Sequence, residues 1–206
     1  MFYKHIYLNL AAGVVIALLM NGCGSPKTNY YVLTPIEKGT AILERSEQGK
    51  ALAVEISSFK LPAYLNRPQI VTHSGKNSLE LDQFNQWGGK LDQNIARVMV
   101  KNLALLLDTS EVSMAPHRRL LNPDFRIEVD ILKFERETNG IVYLSAKWRI
   151  LDGNANHVLA SNISEMNSQR VSLHGYNATV EAMSYLAGKL SEGVAEEIIR
   201  LTQQDA

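Results

Sequence analysis

Cysteine is almost absent from this chain, which contains one, Cys23, in 206 residues. A single thiol excludes an intramolecular disulfide and a zinc site made of several cysteines. An excess of charge of one sign is also lacking, because 21 basic and 21 acidic side chains give a formal net charge of zero. Nucleic-acid binding normally requires a basic patch or stripe, and here the basic residues are scattered along the chain. We therefore predict no nucleic-acid partner.

The motifs of familiar catalytic sites are missing as well. The chain has no G-x-S-x-G elbow, no H-E-x-x-H, no Walker glycine loop and no G-x-G-x-x-G. The histidines beyond the N-terminal segment are too far apart for zinc-ligand spacing; they are His73, His117, His157 and His174. Glu128 and Asp130 lie close together, but on an alternating strand they share the polar face with Arg126, which is typical of a solvated face. The sequence thus predicts no metal, no cofactor and no enzymatic activity.

One long apolar run is present, from Ile6 to Met20. Its length of about fifteen residues is below the roughly twenty that a membrane-spanning helix needs, but it fits the hydrophobic region of a secretory signal peptide. Small residues follow it, among them Gly22 and Gly24. The pattern predicts that residues 1–22 are a signal peptide that is removed.

The stretch LMNGC, which ends at Cys23, resembles a bacterial lipobox. Gly22 fits that pattern, whereas Met20 and Asn21 depart from it, although Leu19 lies one position away. In a lipobox the cysteine thiol receives a diacylglycerol, the chain is cut before the cysteine, and the new amine is acylated, commonly with palmitate. We therefore predict that Cys23 is the lipid attachment residue and anchors the chain to a membrane. The alternatives are an uncleaved membrane anchor and an ordinary signal peptide with an incidental cysteine.

The residue after the cysteine bears on location. An Asp there favours retention in the inner membrane of enteric-type bacteria, and Gly24 stands at that position. The predicted location is therefore the outer membrane, facing the periplasm. Residues 23–29 are predicted to be the lipidated cysteine and a short tether, and residues 30–206 a single periplasmic domain that is long enough to bury a core.

Hydrophobic periodicity predicts an α+β fold for this domain. Apolar and polar side chains alternate in FRIEVDILKFE and IVYLSAKWRI, which flank a turn at Asn139–Gly140, and this is typical of an antiparallel hairpin with one buried face. Apolar positions recur at three- and four-residue steps over Trp87–Leu107 and Tyr176–Thr202, predicting two amphipathic helices. Shorter strands are predicted in YYVLTP, LAVEISSF, QIVTH, SLELD, EVSMAP and VLASNISEM. The simplest architecture is a mostly antiparallel or mixed sheet with two long amphipathic helices packed on one face.

Three segments are candidates for recognition, and each has an alternative. The loop LPAYLNRP, residues 61–68, is framed by prolines and predicts either a partner-binding surface or a lid folded back onto the core. Its partner-binding candidates are Leu61, Pro62, Tyr64, Leu65, Arg67 and Pro68. Trp87 is either an exposed anchor or, as we favour, a core residue. YYVLTP is either an exposed edge strand or, as we favour, a paired strand inside the sheet.

Five pieces of the chain, in order, resemble the ABC-type transport auxiliary lipoprotein family, which includes the paraquat-inducible protein C lipoproteins. They are YYVLTP soon after the cysteine, LPAYLNRPQIV, WGGKLDQNIARVMVKNL with its opening Trp87, DFRIEVDILKFE with Phe134, and LSAKWRI. Each piece alone is weakly specific, but their order and spacing cover nearly the whole predicted mature chain. The imperfect lipobox is the main departure, and it bears on processing rather than on the domain.

The resemblance implies a non-enzymatic, auxiliary component of a lipid transport system that supports envelope integrity. Its implied partners are a protein with mammalian-cell-entry (MCE) domains, an ABC transporter and, as a further implication, identical copies arranged in a ring. Two alternatives from other classes stay open: a hydrolase of envelope lipid or peptidoglycan, which needs a cleft with converging titratable groups, and a stand-alone lipid-binding lipoprotein, which needs a closed apolar cavity.

Overall fold

A computed structural model of the chain describes residues 26–37, 51–116 and 119–204. Cys23, the predicted signal peptide and His117 lie outside these ranges. Within them the chain forms the strands β1 (Asn29–Tyr31), β2 (Val54–Lys60), β3 (Gln69–Gly75), β4 (Ser78–Trp87), β5 (Val112–Met114), β6 (Phe125–Arg136), β7 (Ile141–Asp152) and β8 (Val158–Arg170), and the helices α1 (Leu91–Leu106) and α2 (Asn177–Gln204). The prediction of an α+β fold is confirmed.

Strand β6 organises a mixed sheet. Along one edge it pairs antiparallel with β7, which in turn pairs with β8. Along the other edge it pairs in parallel with β2 over its first half, from Phe125 to Asp130, and with β3 at its last residue, Arg136. This second edge therefore carries two arms: β2 with its parallel neighbour β5, and β3 with β4 and β1.

The two long hairpin strands follow the predicted alternation. Phe125, Ile127, Val129 and Ile131 of β6 are buried, whereas the intervening side chains are partly exposed. The outward Glu128 forms an ion pair with Arg149 of β7, as expected for a solvated face. The predicted turn is present, and β8 extends beyond the predicted VLASNISEM to Arg170 because that residue pairs with Ile141.

Both helices bury the predicted apolar stripes, but α1 begins later than the periodicity indicated. Trp87 ends strand β4, and its backbone N–H donates to the carbonyl of Pro68 at 2.7 Å. Its side chain is buried, so it belongs to the core. Helix α1 contacts α2, β2 and β5, and α2 contacts β6, β7 and β8. That both helices pack on one face of the sheet stays a prediction. Neither helix of the described ranges is long and apolar enough to cross a membrane.

The predicted YYVLTP strand is divided into two parts. Asn29–Tyr31 pairs in parallel with the end of β4 and lies at an edge of the sheet, not inside it as we favoured. The residues that follow form hydrogen bonds with both helices. The Thr34 N–H donates to Ser184 Oγ of α2 at 3.1 Å, and the Ile36 N–H donates to Asn102 Oδ1 of α1 at 3.0 Å. These side-chain acceptors take the place of a strand partner and fix the N-terminal segment to the domain.

Gly153 allows a close approach between the β7–β8 turn and the segment before β6. A Cβ at this position would lie 1.9 Å from the carbonyl oxygen of Pro123. We expect Gly153→Ala to lower the free energy of unfolding by about 1–3 kcal/mol, because backbone must move to admit the methyl group. Gly193→Ala in α2 is the matched control: its Cβ meets nothing within 4 Å, and helix propensity predicts a gain of about 1 kcal/mol. Urea unfolding followed by circular dichroism measures both, and equal stability of the two variants would contradict this packing.

Candidate partner-docking loop

The loop Leu61–Pro68 connects two strands that lie end to end along β6. Strand β2 pairs with β6 up to Lys60 opposite Asp130, and β3 meets it again where Thr72 pairs with Arg136. Residues 131–135 of β6 pair with neither arm along this edge. The loop spans that gap, because it joins the end of one arm to the start of the other.

The loop is a compact turn with a buried interior. The N–H groups of Leu65 and Asn66 donate to the carbonyl of Pro62 at 3.0 and 3.2 Å, and the carbonyl of Pro68 accepts from Trp87. The Leu65 side chain is 1% exposed and belongs to the core. Part of the loop is therefore a lid on the core, which is the alternative that the sequence left open.

The outer side of the loop is accessible. Ala63, Asn66 and Pro68 are exposed, and Leu61, Pro62, Tyr64 and Arg67 are partly exposed. Ala63 and Asn66 were not among the sequence candidates, because neither is an aromatic, large apolar or charged anchor. Among the candidates, Leu65 is turned away from any partner and Pro68 is the most accessible. Partner binding by this loop stays a prediction, and the exposed residues are those on which to test it.

A buried carboxylate supports the loop from below. Glu135 is 2% exposed; its Oε2 accepts from the Tyr64 hydroxyl at 2.9 Å and from the Phe134 N–H at 3.0 Å. Burial, reinforced by the Glu135 carboxylate, raises the pKa of Tyr64. Tyr64 therefore stays protonated and serves as a donor to the charged oxygen.

His73 completes this cluster from strand β3. Its Nε2 lies 3.2 Å from Oε1 of Glu135, and its Nδ1 lies 3.2 Å from the carbonyl oxygen of Gly75. Both ring nitrogens thus face oxygen acceptors, so neither is available as a base toward a substrate. Sequence reasoning missed His73 and Glu135 as a pair, because they are 62 positions apart and no motif links them.

The other titratable residues singled out from the sequence are dispersed. His157 is exposed and lies 3.7 Å from the Asp152 carboxylate in a surface turn, and His174 is also exposed. Backbone N–H groups of His157 and Asn156 hold the pKa of Asp152 below its usual value. The described ranges contain no group of three or more His, Cys, Asp or Glu side chains that could hold a metal ion.

Arg126 contacts a buried acid instead of the surface carboxylates with which it shares a strand face. It forms an ion pair with Glu55 of β2 and donates from Nε to the carbonyl of Gly153 at 2.8 Å. Oε2 of the same glutamate accepts from the Leu120 N–H at 2.8 Å. These contacts fix the loop before β6 to the first arm.

Comparison with known proteins identifies the family. The family model of the ABC-type transport auxiliary lipoprotein component matches residues 31–195. The chain belongs to this family. The match includes both helices up to residue 195, the loop Leu61–Pro68 and the whole of β6–β8. No curated protein is a significant match to the chain.

Solved structures support the fold. Protein XCC0632 from Xanthomonas campestris is 12% identical, with a TM-score of 0.70, and the alignment covers 86% of this chain and 98% of that one. A crystal structure of an uncharacterized protein is 19% identical, with a TM-score of 0.65, over 84% of this chain and 99% of that one. At these identities the similarity concerns the fold alone.

We expect Tyr64→Phe to destabilise the domain through the loop. Loss of a hydrogen bond to a buried carboxylate costs about 1.5–3 kcal/mol. Tyr143→Phe is the matched control, because the hydroxyl of Tyr143 only accepts an exposed hydrogen bond from Asn139 at 3.3 Å; its effect is expected within about 0.5 kcal/mol. Urea unfolding at neutral pH measures both, and an equal, small effect of the two substitutions would show that Glu135 does not hold the loop.

Proposed function

We propose that this chain is a periplasmic lipoprotein, anchored through Cys23, that acts as the non-enzymatic auxiliary component of an ABC-type lipid transport system. The observation that carries the proposal is the family match, which begins at Tyr31, eight residues after the single cysteine of the chain. In this proposal residues 1–22 are the signal peptide, residues 23–29 the lipidated tether and residues 30–206 the periplasmic domain. The anchor lies in the outer membrane, as the glycine at position 24 favours.

The outer side of the loop Leu61–Pro68 is the proposed docking surface for an MCE-type partner. The loop is rigid at its base, because Tyr64 is bonded to a buried carboxylate and Leu65 is packed in the core. Residues held in one conformation lose little conformational freedom on binding, which favours affinity. Copies of this chain arranged as a ring around the partner would repeat the surface.

A role without catalysis is consistent with the chemistry of the described residues. The cluster of Tyr64, His73 and Glu135 uses both imidazole nitrogens within the protein, so a hydrolase would need a different set of groups. A stand-alone lipid carrier would need a closed apolar cavity. The space between α1 and β5, about 440 Å³, is an open groove in which Arg97 and Lys101 stand beside the apolar Val100, Val112 and Met114. Both alternatives are therefore less well supported than an auxiliary role.

Mass spectrometry of the mature N-terminus from isolated membranes tests the anchor. We expect the N-terminal peptide to begin at Cys23 and to carry the mass of a diacylglycerol and an acyl chain. Cys23→Ser is the control, and we expect it to lack these groups and to keep residues 1–22, because the cut before position 23 follows lipidation of the thiol. An unmodified Cys23 in the wild-type protein would contradict the lipoprotein assignment.

Surface charges introduced on the loop test the docking site. Deleting residues 61–68 is unsuitable, because it would remove the buried Leu65 and the Tyr64 hydrogen bond. We expect the double variant Ala63→Asp and Asn66→Asp to recover about tenfold less of an MCE-type partner in pull-downs, a loss of about 1.4 kcal/mol. Leu121→Asp is the matched control, since Leu121 is 96% exposed and lies outside the loop. Undiminished recovery by the loop variant, with its unfolding midpoint unchanged, would exclude this surface as the interface.

A further inference from the structure

Three exposed apolar side chains, two of them aromatic, belong to the segments at the sheet edge formed by β1 and β4. Tyr30 is 68%, Val32 49% and Phe84 43% exposed, and we call these three residues the edge patch. The described ranges contain three exposed aromatic side chains, Tyr30, Phe84 and Tyr185, and two of them belong to this patch. The third, on helix α2, has Lys189 above its ring at 5.8 Å. Other exposed apolar side chains, such as Val158 and Ile163 of β8, are aliphatic, so its aromatic content distinguishes the edge patch within the described ranges.

The backbone directs the patch outward. In the parallel pairing of β1 and β4, Tyr31 lies opposite the buried Trp87, so its neighbour Tyr30, opposite Gln86, is on the other face. Val32 follows two positions later and is also exposed. A side chain at Gly88 would stand 3.1 Å from Val32 Cγ1, and its absence leaves Val32 uncovered on that side.

Phe84 is presented by a bulge in β4. The register of β3 and β4 shifts between the pairs Gln69–Gln86 and Val71–Leu81, which leaves residues 82–85 without partners on β3. The Asp82 carboxylate stabilises this bulge by accepting from the Phe84 N–H at 2.8 Å and from Asn85 Nδ2 at 2.9 Å. A bulge of this kind redirects a side chain, and here it holds an apolar ring in solvent.

The short segment between the proposed lipid anchor and β1 keeps the edge patch close to the membrane surface. Seven residue steps separate Cys23 from Tyr30, and an extended chain spans at most about 3.6 Å per residue, so Tyr30 lies within about 25 Å of the lipidated cysteine. Tyrosine and tryptophan favour the interface between lipid and water, and phenylalanine is among the apolar side chains that insert at this boundary. Leu121, by contrast, lies shortly before Phe125, the first residue of β6. This strand has 12 residues and is about 40 Å long, and the arm that contains β4 and β1 meets its other end, at Arg136.

We propose that the edge patch of Tyr30, Val32 and Phe84 rests on the lipid surface that holds Cys23 and so fixes the orientation of the domain on the membrane. The inference rests on the proposed lipidation of Cys23 and adds a second contact with the bilayer. With the β1–β4 edge on the membrane, the arm of β2 and β5 points away from it, toward the periplasm.

Site-directed fluorescence on the lipidated protein tests this orientation. The diacylglycerol attached to Cys23 blocks the thiol of the single native cysteine, so an introduced cysteine becomes the one free thiol. Tyr30→Cys and Phe84→Cys, with Leu121→Cys as the exposed apolar control, are purified from membranes and labelled with an environment-sensitive dye. They are then reconstituted in vesicles of phosphatidylethanolamine and phosphatidylglycerol, with and without nitroxide-labelled lipid. We expect a blue shift and nitroxide quenching at positions 30 and 84 and neither effect at position 121.

Vesicle flotation distinguishes a failure of the edge-patch proposal from a failure of the proposed lipidation of Cys23. Proteins that float while the dyes at positions 30 and 84 stay as water-exposed as the dye at position 121 would overturn the edge patch and leave the anchor standing. A wild-type protein that does not float and whose Cys23 reacts with the dye would overturn the anchor, and the patch with it. A blue shift at positions 30 and 84 without nitroxide quenching would show that protein, such as a second copy, covers the patch, and would also overturn the inference.

Discussion

Two strands share one edge of β6, and the gap between them has to be closed by something other than a strand. The ladder stops at Asp130 and resumes at Arg136, so the intervening backbone needs other hydrogen-bond partners and other apolar cover. The carboxylate of Glu135 accepts a hydrogen bond from the Phe134 N–H, and the Leu65 side chain of the loop is buried in the core. The shape of the loop Leu61–Pro68 follows from this requirement, and so does the rigidity of the surface that it presents.

Arg136, the residue after Glu135, connects the end of this gap in the β6 ladder to helix α2. Arg136 is buried, and its Nη1 donates to Thr179 Oγ1 of α2 at 2.8 Å, while its guanidinium lies 5.3 Å from the centre of the Tyr176 ring. The Tyr176 ring in turn lies 6.2 Å from that of Tyr31 on β1. Burial, together with the Asp82 carboxylate, raises the pKa of Tyr176, so this ring stays neutral beside the guanidinium. A continuous set of contacts therefore runs from the docking loop to the edge that follows the proposed tether. Isolated buried charges are costly, and here each has several partners.

Periodicity was sufficient to predict the buried stripes of both helices and the long hairpin, because each follows from side-chain spacing within one element. Periodicity failed to predict burial and pairing that depend on residues in a distant part of the chain or on a shift of register between strands. The register of β6 and β7 shifts between Ile131 and Lys133. Beyond Leu132, Lys133 is therefore partly exposed and Phe134 is buried, the reverse of strict alternation. Glu135 is buried next to Phe134, and its contact with Tyr64 of a loop some 70 residues earlier is one that side-chain spacing within a single strand cannot predict. The end-to-end arrangement of β2 and β3 is likewise a long-range pairing without a local signal. The periodicity also places Trp87 in the first turn of a helix, whereas its hydrogen bond to Pro68 places it in a strand.

The small size of the exposed loop surface bears on how the proposed assembly would work. Ala63, Asn66 and Pro68 form only a small part of the roughly 800 Å² per partner that a stable protein interface buries, so one copy of the loop would bind weakly. Copies held on one membrane surface in a common orientation meet a shared partner at high effective concentration, and several weak contacts then act together. Such avidity is lost when the copies cannot engage simultaneously. In the proposed function the anchor and the edge patch would therefore contribute to partner binding without touching the partner, because they would set the orientation in which the loops are presented.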